Sequence, residues 1–486
     1  MSDPGGPDRF EHPHELPDSI LGWLELSSPR RLGLFTAITA IAWFGVDLLP
    51  ATAELEPEAR RALFILLLAV GLWLTETIPA FAVSILVIAL DVLLIGAPAS
   101  GAPGWDASML MIGHPLIWLF FGGLMLAAGM REAGVDRWLA THALTRFAHR
   151  PAALVVAVAS ISFLLSMVMS NTATSAMMLA LVGPLVATRP QEDRFAATLV
   201  LAVPAGANLG GMGSLVGTPP NAIAAALLAE QAGREISFAR WFGIGLPPAV
   251  ILAAALITLL VLRIPRDTAT ADAALVALPA APPAPRWEVL VVTLTLASTF
   301  GLWLTQDLHG LPTPVVAVVP VVLFTATGVL SVDAFRSLSW DVLFLLAGGL
   351  VLGQMLVDTG LADWLVGGSA ARDLGPLAFT FAAGVAAVIL SNVMSNTAAA
   401  NVLVPLVLSA GAAAVGAGAG SSGTTAALAV ALCASTAMAL PVATPPNALA
   451  YASGRLRTRD FLLLGGVAGV LGPLVVTAWL TWITSL

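Results

Sequence analysis

Charged side chains are scarce in this sequence of 486 residues, at 10% of the chain, against about 25% in an average soluble protein. Lysine is absent, and cysteine occurs once, at Cys433. A single cysteine excludes a disulfide within the chain and argues against a thiolate metal site. The net charge of −8 is not accompanied by a basic patch, which argues against nucleic-acid binding.

Long apolar segments take the place of the missing charges. Hydrophobic residues make up 58% of the chain, and their runs repeatedly reach the ~18 residues that a membrane-spanning helix needs. We therefore predict an all-α polytopic protein of the cell (inner) membrane, embedded in the lipid bilayer, with about eleven transmembrane helices. The spans are expected near residues 33–50, 62–77, 79–98, 115–130, 196–229, 240–262, 287–305, 312–330, 340–357, 424–451 and 461–484.

Two further apolar blocks, 151–188 and 376–416, are each interrupted near the middle by a Ser-Asn-Thr triplet, at residues 170–172 and 395–397. Two short arms around a polar tip indicate a re-entrant hairpin, because non-helical backbone at membrane depth must be buried in protein or line a wet cavity. The alternative is a pair of ordinary helices joined by a turn at one membrane surface.

The chain repeats itself after about 226 residues. GLWLT at 71–75 recurs at 301–305, the two triplets match each other, and Thr-Pro-Pro-Asn at 218–221 recurs at 444–447. One repeat contains five spans and one hairpin. The first span, residues 33–50, stands outside the repeat. Because five is odd, the second copy must enter the membrane upside down, which is the inverted-repeat plan of secondary transporters.

Arginine positions predict the orientation. A cytoplasmic N-terminus places 16 of the 21 arginines inside and leaves Arg60, Arg61, Arg234, Arg240 and Arg372 outside. This asymmetry follows the positive-inside rule. Eleven spans then place the C-terminus outside.

The apolar core also lacks the side chains of an enzyme. Segments 152–188, 195–229 and 374–454 contain no Asp, Glu, Lys, Arg or His. General acid–base or metal catalysis would need such groups clustered there, and proton coupling would need a titratable group in the bundle. The prediction is a protein that is not an enzyme.

Uncharged polar motifs and prolines interrupt this core. Paired prolines should break each span into two half-helices, with Thr218 and Thr444 as N-caps and Pro219 and Pro445 starting the second halves; the alternative is a kinked but continuous helix. At the triplets, Ser170 or Asn171, and Ser395 or Asn396, are expected to cap the returning hairpin arms. Four helix N-termini, each with roughly half a positive charge, then suit an anion of charge about −2.

The same breaks expose oxygen atoms that suit a hard monovalent cation such as Na⁺. The amide oxygens of Asn171 and Asn396 are candidates, together with freed backbone carbonyls. The i, i+4 spacing of Ser166 and Ser170, repeated in Ser391 and Ser395, predicts hydroxyls on one face of each first arm. Alternatively, the Ser166 hydroxyl bonds back to its own helix.

Paired SNT and TPPN motifs within an inverted repeat resemble the divalent anion/sodium symporter family of di- and tricarboxylate and sulfate carriers, over nearly the whole chain from Arg30 onward. The resemblance implies a homodimer in which a transport domain moves as an elevator against a fixed scaffold. It also implies Na⁺ as the coupling ion, with no other cofactor.

The resemblance assigns residues to each ligand. One sodium ion would bind Ser166, Ser170, Asn171 and the Gly217 carbonyl, and a second would bind Ser391, Asn396 and the carbonyls of Met394 and Ala443. The dianionic substrate would meet residues of both repeats, namely Ser170, Asn171, Thr172, Thr218, Pro219, Ser395, Asn396, Thr397, Thr444 and Pro445.

By the same resemblance the chain divides into scaffold and transport segments. Residues 1–30 are a cytoplasmic N-terminal tail and 264–286 a cytoplasmic linker. The scaffold comprises 31–130 and 287–357, the interfacial arm helices 131–150 and 358–373, and the transport domain 151–263 and 374–486.

The function implied is sodium-driven import of C4-dicarboxylates such as succinate. A sodium-independent dicarboxylate exchanger or a sulfate carrier on the same frame remains an alternative, as does an anion channel with a dianion site.

Overall fold

The computed structural model describes residues 28–48, 52, 54–96, 105–266, 268, 285–367, 374–413 and 420–484. Regular structure is helical throughout these residues, which confirms the predicted all-α class. The main helices are α1 (Ser28–Leu48), α2 (Pro57–Thr75), α3 (Ala80–Leu94), α4 (Pro115–Glu132), α5 (Val135–Phe147), α6 (Pro151–Ser166), α7 (Asn171–Ala187), α8 (Arg194–Gly210), α9 (Pro219–Ala232), α10 (Phe238–Leu262), α11 (Arg286–Leu304), α12 (Val318–Thr327), α13 (Trp340–Asp358), α14 (Leu361–Gly367), α15 (Pro376–Ser391), α16 (Asn396–Ala413), α17 (Gly420–Ala434), α18 (Pro445–Ala452) and α19 (Thr458–Thr484). Shorter helical segments are Trp105–Leu110, Met111–Gly113, Gly211–Gly213, Gln306–His309, Thr313–Val316 and Val332–Arg336.

Seven helical stretches in the described part of the chain are long and apolar enough to cross a membrane unaided. They are Pro29–Leu48, Trp105–Glu132, Arg194–Gly213, Phe238–Leu262, Arg286–Leu304, Val332–Asp358 and Thr458–Thr484. The other four predicted spans correspond to α2, α3, α12 and the broken pair α17 and α18. The helices therefore agree with a multi-pass membrane protein, and a membrane crossing by the other four segments stays a prediction.

One predicted span is interrupted where a single helix was expected. The stretch 312–330 contains two helical pieces, Thr313–Val316 and Val318–Thr327, which meet at Ala317. Pro320 lacks the N–H that would bond to the Val316 carbonyl. At this point the chain packs closely against α4, since a Cβ built on Gly122 would lie 2.7 Å from the Cβ of Ala317.

The two predicted hairpins are present, and the depth of their tips in the membrane stays a prediction. Their arms are α6 with α7 and α15 with α16, of 16 to 18 residues each. The first tip contacts the non-helical stretch between α8 and α9, and the second contacts the stretch between α17 and α18. Each tip therefore lies beside the break of its own repeat.

The two repeats fold alike and pack in equivalent pairs. Arms α6 and α15 pack against the first halves of the broken spans, α8 and α17. Across the repeats, α9 packs on α16 as α18 packs on α7, and α12 packs on α4 as α3 packs on α13. These exchanged contacts join both copies into one bundle.

The structure covers the predicted linking segments only in part. The predicted arm helix 131–150 contains α5, and the predicted arm 358–373 contains α14, but residues 368–373 with Arg372 lie outside the described residues. The N-terminal tail up to residue 27 and most of the linker 264–286 lie outside them as well.

Polar contacts between loops agree with the predicted sidedness of those loops. Arg455 donates to the Val186 carbonyl at 2.7 Å, and Arg457 pairs with Glu192 at 3.0 Å. These contacts join the end of α7 and the loop after it to the loop before α19, and the arginine pattern predicts both loops on the same side of the membrane. On the opposite predicted side, His114 lies 3.2 Å from Glu230. Which side faces the cytoplasm stays a prediction.

Helices α6 and α8 approach each other through glycine. Gly206 and Gly210 are four residues apart on α8, and a Cβ on either would overlap a backbone carbonyl of α6, that of Ala159 or that of Phe163. Small residues at this spacing let membrane helices pack backbone to backbone. The contact fixes the first hairpin arm beside the broken span.

Gly210→Ala is therefore expected to destabilise the protein, because neither backbone can yield to the added methyl group. Overpacking of this kind costs about 1–3 kcal/mol. Gly183 on α7 is the matched control, since a Cβ there meets nothing within 4 Å and alanine favours a helix over glycine by about 1 kcal/mol. Melting temperatures in detergent should fall for Gly210→Ala and not for Gly183→Ala; equal values would contradict the tight contact.

Candidate functional site

The first hairpin tip is closed by its own serine and asparagine. Helix α7 begins at Asn171, and the Ser170 hydroxyl accepts the Ala173 N–H at 3.2 Å as its N-cap. The Ser166 hydroxyl donates to Asn171 Oδ1 at 2.5 Å. The predicted bond from Ser166 back to its own helix is therefore wrong, because the partner is the tip.

The prediction that Ser166 and Ser170 share one face of the first arm is also wrong. Helix α6 ends at Ser166, and a turn at Met167–Met169 separates the two serines. Ser391 and Ser395 are separated in the same way, because α15 ends at Ser391. Each pair instead spans the turn, with one hydroxyl at the end of the first arm and one at the start of the second.

The second tip has the same backbone plan but different hydrogen bonds. Ser395 accepts the Ala398 N–H at 3.2 Å and caps α16. Among the described residues, the buried Ser391 hydroxyl and Asn396 Oδ1 have no hydrogen-bond partner. In the first repeat the equivalent oxygens, those of Ser166 and Asn171, are bonded to each other. In the second repeat both oxygens are therefore available to a ligand.

Each broken span is interrupted where its prolines predicted. After α8, a 3₁₀ turn at Gly211–Gly213 leads to Thr218, and α9 begins at Pro219. After α17, the chain leads to Thr444, and α18 begins at Pro445. Both threonines hold the N-cap position with extended backbone, and the alternative of a continuous kinked helix is wrong. Only the Thr444 hydroxyl accepts an N–H at its cap, that of Asn447 at 3.3 Å.

The asparagine of each TPPN motif closes its own break. Asn221 Nδ2 donates to the carbonyls of Gly211 at 2.9 Å and Ser214 at 2.7 Å. In the second repeat, Asn447 Nδ2 donates to Met438 at 3.0 Å and Leu440 at 2.9 Å. These carbonyls lose their helical partners at the break, and the amide replaces them.

Tips and breaks meet in both repeats. The Ser214 hydroxyl donates to the Met167 carbonyl at 2.5 Å, and a Cβ on Gly211 would lie 2.7 Å from Asn171 Oδ1. In the second repeat, the Ala439 N–H donates to Asn392 Oδ1 at 2.9 Å. The tip and break of each repeat therefore form one unit.

Asn208 joins the two repeats. Its Nδ2 lies 3.2 Å from Thr444 Oγ1 and 3.2 Å from Asn447 Oδ1, across 236 and 239 residues of chain. The contacts thus run in series from the first tip to the first break, to the second break and to the second tip.

The predicted ligands differ in burial, and Ser170, Asn171 and Asn396, which were assigned to both sodium and substrate, are half-buried. The oxygens assigned to sodium at Ser166 and Ser391 belong to fully buried residues, and Gly217, Met394 and Ala443 are buried too. Among residues assigned to the substrate, Thr172 and Pro445 are exposed, and Ser170, Asn171, Pro219, Ser395 and Asn396 are half-buried. Thr218, Thr397 and Thr444 are buried at 4%, 7% and 3% exposure, so they are reached only through the tip or the break.

The chemistry available is that of neutral oxygens and helix N-termini. The motif segments contain no charged side chain, and the described residues hold no group of three or more His, Cys, Asp or Glu that could bind a metal. Helix N-termini favour anions, and amide, hydroxyl and carbonyl oxygens favour hard cations. The arrangement can therefore hold an anion and small cations side by side.

Sequence reasoning missed the residues that tie these pieces together, namely Asn208, Ser214, Asn221, Asn392 and Asn447. The two TPPN asparagines carried a signal, since both repeats keep them in the break. Asn208 carried a weaker one, as a lone amide in an uncharged buried helix.

An all-helical chain of two repeats, each with a helical hairpin and a broken helix, has the architecture of a secondary transporter. The profile of the family described as "Citrate transporter" matches residues 67–426, and the chain belongs to that family. Similar proteins include an uncharacterized transporter of Haemophilus influenzae, 29% identical over 87% of this chain and 91% of that protein. The sodium-dependent dicarboxylate transporter SdcS of Staphylococcus saprophyticus is 26% identical over 83% and 82%.

A further relative is larger than this chain. An uncharacterized transporter of Schizosaccharomyces pombe is 27% identical over 84% of this chain, which spans only 48% of that protein. All of these relatives are transporters, which confirms that the protein is not an enzyme. The resemblance to di- and tricarboxylate carriers is confirmed as well.

Two solved structures share the fold. The YdaH transporter of Alcanivorax borkumensis aligns with a TM-score of 0.54 at 16% identity, over 83% of this chain and 99% of that chain. MtrF of Neisseria gonorrhoeae, an antimetabolite efflux pump, aligns with a TM-score of 0.51 at 12% identity, over 84% and 96%. At these sequence identities, the two structures show that the fold is shared and nothing further.

Proposed function

We propose that this protein is a sodium-coupled importer of divalent anions, with C4-dicarboxylates such as succinate as its substrates. The observation that carries the proposal is the linked cluster of four helix N-termini in a core free of charged side chains. The similarity to a sodium-dependent dicarboxylate transporter supports both the substrate class and the ion.

The anion is held by the starts of α7, α9, α16 and α18. Each N-terminus contributes roughly half a positive charge, about +2 in total, without a fixed cation. The residues Ser170, Asn171, Ser395 and Asn396 are half-buried, and their hydroxyls and N–H groups donate to the anion. Two carboxylates, one for each tip, match the two-repeat arrangement.

Sodium binds beneath the anion. In the second repeat, Ser391 Oγ and Asn396 Oδ1 are oxygens without a protein partner in the described chain, and the Met394 and Ala443 carbonyls complete the ligand set. In the first repeat, the set is Ser166, Ser170, Asn171 and the Gly217 carbonyl. Sodium then neutralises the dianion, and each further positive charge adds about 2.3 kcal/mol of drive per 100 mV.

Transport proceeds by an elevator movement of residues 151–263 and 374–486 against a scaffold of 31–130 and 287–357, in a homodimer with a cytoplasmic N-terminus. The contact between the two parts supports this step. Helix α9 packs on α4 and α13 around a small cavity with aliphatic lining, formed by Leu116, Ile117, Ala222, Ile223, Ala226, Leu346 and Leu350. The movement also has to break polar contacts between the two parts, namely His114 with Glu230 at 3.2 Å, Gln231 with the Gly353 carbonyl at 3.1 Å and Asn401 with the Leu345 carbonyl at 3.4 Å.

One observation favours a second candidate, a sodium-independent dicarboxylate exchanger. In the first tip, the Ser166 hydroxyl proton already bridges to Asn171 Oδ1, so these two oxygens are satisfied without a cation. An exchanger needs the tips ordered at all sodium concentrations, and this bond would order one of them.

Thermal stabilisation tests the proposal directly. The purified protein is melted with succinate, malate, citrate or sulfate, each in sodium and in choline buffer. We expect a dicarboxylate to raise the melting temperature by several degrees in sodium only, because the cation and anion sites share Asn171 and Asn396. Stabilisation that is equal in choline would favour the exchanger, and stabilisation by sulfate alone would indicate a sulfate carrier.

Uptake into proteoliposomes separates the remaining possibilities. The expected result is saturable succinate uptake that requires an inward sodium gradient. Counterflow without sodium would contradict symport, and single-channel currents would indicate an anion channel.

A further inference from the structure

Asn208 is the point at which one repeat touches the binding residue of the other. It lies on α8, its residue is fully buried, and its Nδ2 contacts both Thr444 Oγ1 and Asn447 Oδ1 at 3.2 Å. None of the motifs includes it. Its contact with Thr444 bears on how that hydroxyl can meet a ligand.

The amide orientation follows from the network. Asn447 Nδ2 is committed to the carbonyls of Met438 and Leu440, so Asn447 can present only its oxygen toward Asn208. An oxygen requires a donor opposite it, and therefore Asn208 must present its NH₂ group. The two hydrogens of that group then serve Thr444 and Asn447.

This assignment fixes the role of the Thr444 hydroxyl. A hydroxyl has two acceptor lone pairs and one donor hydrogen. One lone pair takes the Asn208 NH₂, and the other takes the Asn447 N–H at 3.3 Å. The remaining hydrogen can only be donated, and donation suits an anion rather than a cation.

The first repeat lacks this arrangement. Thr218 holds the same N-cap position, but its hydroxyl accepts no N–H at the cap. At the spacing that relates the two TPPN motifs, the position equivalent to Asn208 is Ala434. The two repeats therefore present hydroxyls of different character.

Resting on the proposed function, we infer that Asn208 is a positioning residue that locks the Thr444 hydroxyl as a donor to one carboxylate of the dianion. The Thr218 hydroxyl has no equivalent asparagine partner, so its hydrogen bond can adapt to the carboxylate at the other end of the dianion. The dianion is therefore held more tightly by the second repeat than by the first.

A double-mutant cycle tests the inference in proteoliposomes. Asn208→Ala should raise the KM for succinate about two- to tenfold, as expected for one hydrogen bond, with the half-saturating sodium concentration unchanged. Thr444→Val should raise the KM at least as much. In the double variant the KM should match that of Thr444→Val alone, because Asn208 acts through the hydroxyl.

Controls separate positioning from general damage. Ser435→Ala removes a buried hydroxyl without a described partner at the equivalent end of α17 and should leave the KM unchanged. If Asn208→Ala does not fold, Asn208→Ser is measured instead, and it should give an intermediate KM because a hydroxyl donates only one bond. Fully additive effects in the cycle, or an unchanged KM in a folded Asn208 variant, would overturn the inference. Absence of wild-type uptake for every anion tested would instead overturn the proposed function.

Discussion

Asn171→Asp is expected to reduce dicarboxylate uptake at least about 100-fold while the protein stays folded. Asn171 is the first residue of α7, half-buried at the first tip. At a separation of 5 Å and an effective dielectric constant of about 20, two like unit charges repel by about 3 kcal/mol. A dianion carries two such charges, so even strong screening leaves a large loss.

The fold should tolerate this substitution for two reasons. The carboxylate keeps an oxygen in the place of Asn171 Oδ1, so the Ser166 hydroxyl retains its acceptor. A negative charge in the first turn of a helix is also favourable, by about 0.3–1 kcal/mol. The melting temperature without substrate should therefore be unchanged or slightly higher.

Uptake and melting temperature are measured together on each variant. Asn396→Asp is the equivalent change at the second tip and should behave alike. Ser237→Asp places the same charge at the N-cap of α10, where the Ser237 hydroxyl accepts the Arg240 N–H, and should leave uptake unchanged. Normal succinate KM in a folded Asn171→Asp protein would mean that the first tip does not contact the anion.

The contrast between what could and could not be predicted from sequence lies in the range of the interactions. Pro219 and Pro445 each begin a helix behind a threonine N-cap, where the missing proline N–H needs no partner, and Ser170 and Ser395 cap helices through atoms three residues away. Proline alone does not set a break, since Pro247 and Pro248 lie inside the continuous helix α10. These effects are local, so the breaks and tips were located correctly.

Contacts that depend on packing were out of reach. The Ser166 hydroxyl has acceptors within its own helix and across the turn, and only the end of α6 at Ser166 decides between them. Asn208 meets Thr444 from 236 residues away, and no spacing in the sequence encodes that pairing.

Asn221→Asp should have the opposite outcome to Asn171→Asp, although the chemical change is identical. Asn221 is fully buried, and its Nδ2 is the donor to the carbonyls of Gly211 and Ser214. A carboxylate cannot donate, so both carbonyls lose the amide and face a negative charge, and the Ser214 carbonyl keeps only the Gly217 N–H at 3.3 Å. Leaving one buried group unsatisfied costs about 1–3 kcal/mol, and the facing negative charge adds to this loss.

Asn447→Asp should destabilise the second break for the same reason, since Asn447 Nδ2 holds Met438 and Leu440. The measurements are melting temperature and monodispersity in detergent, with Asn171→Asp as the matched control. Low stability in both TPPN variants and normal stability in the control would show that one asparagine in each repeat builds the break and another meets the ligand. A stable but inactive Asn221→Asp protein would contradict this division, because it would place the amide at the anion rather than behind it.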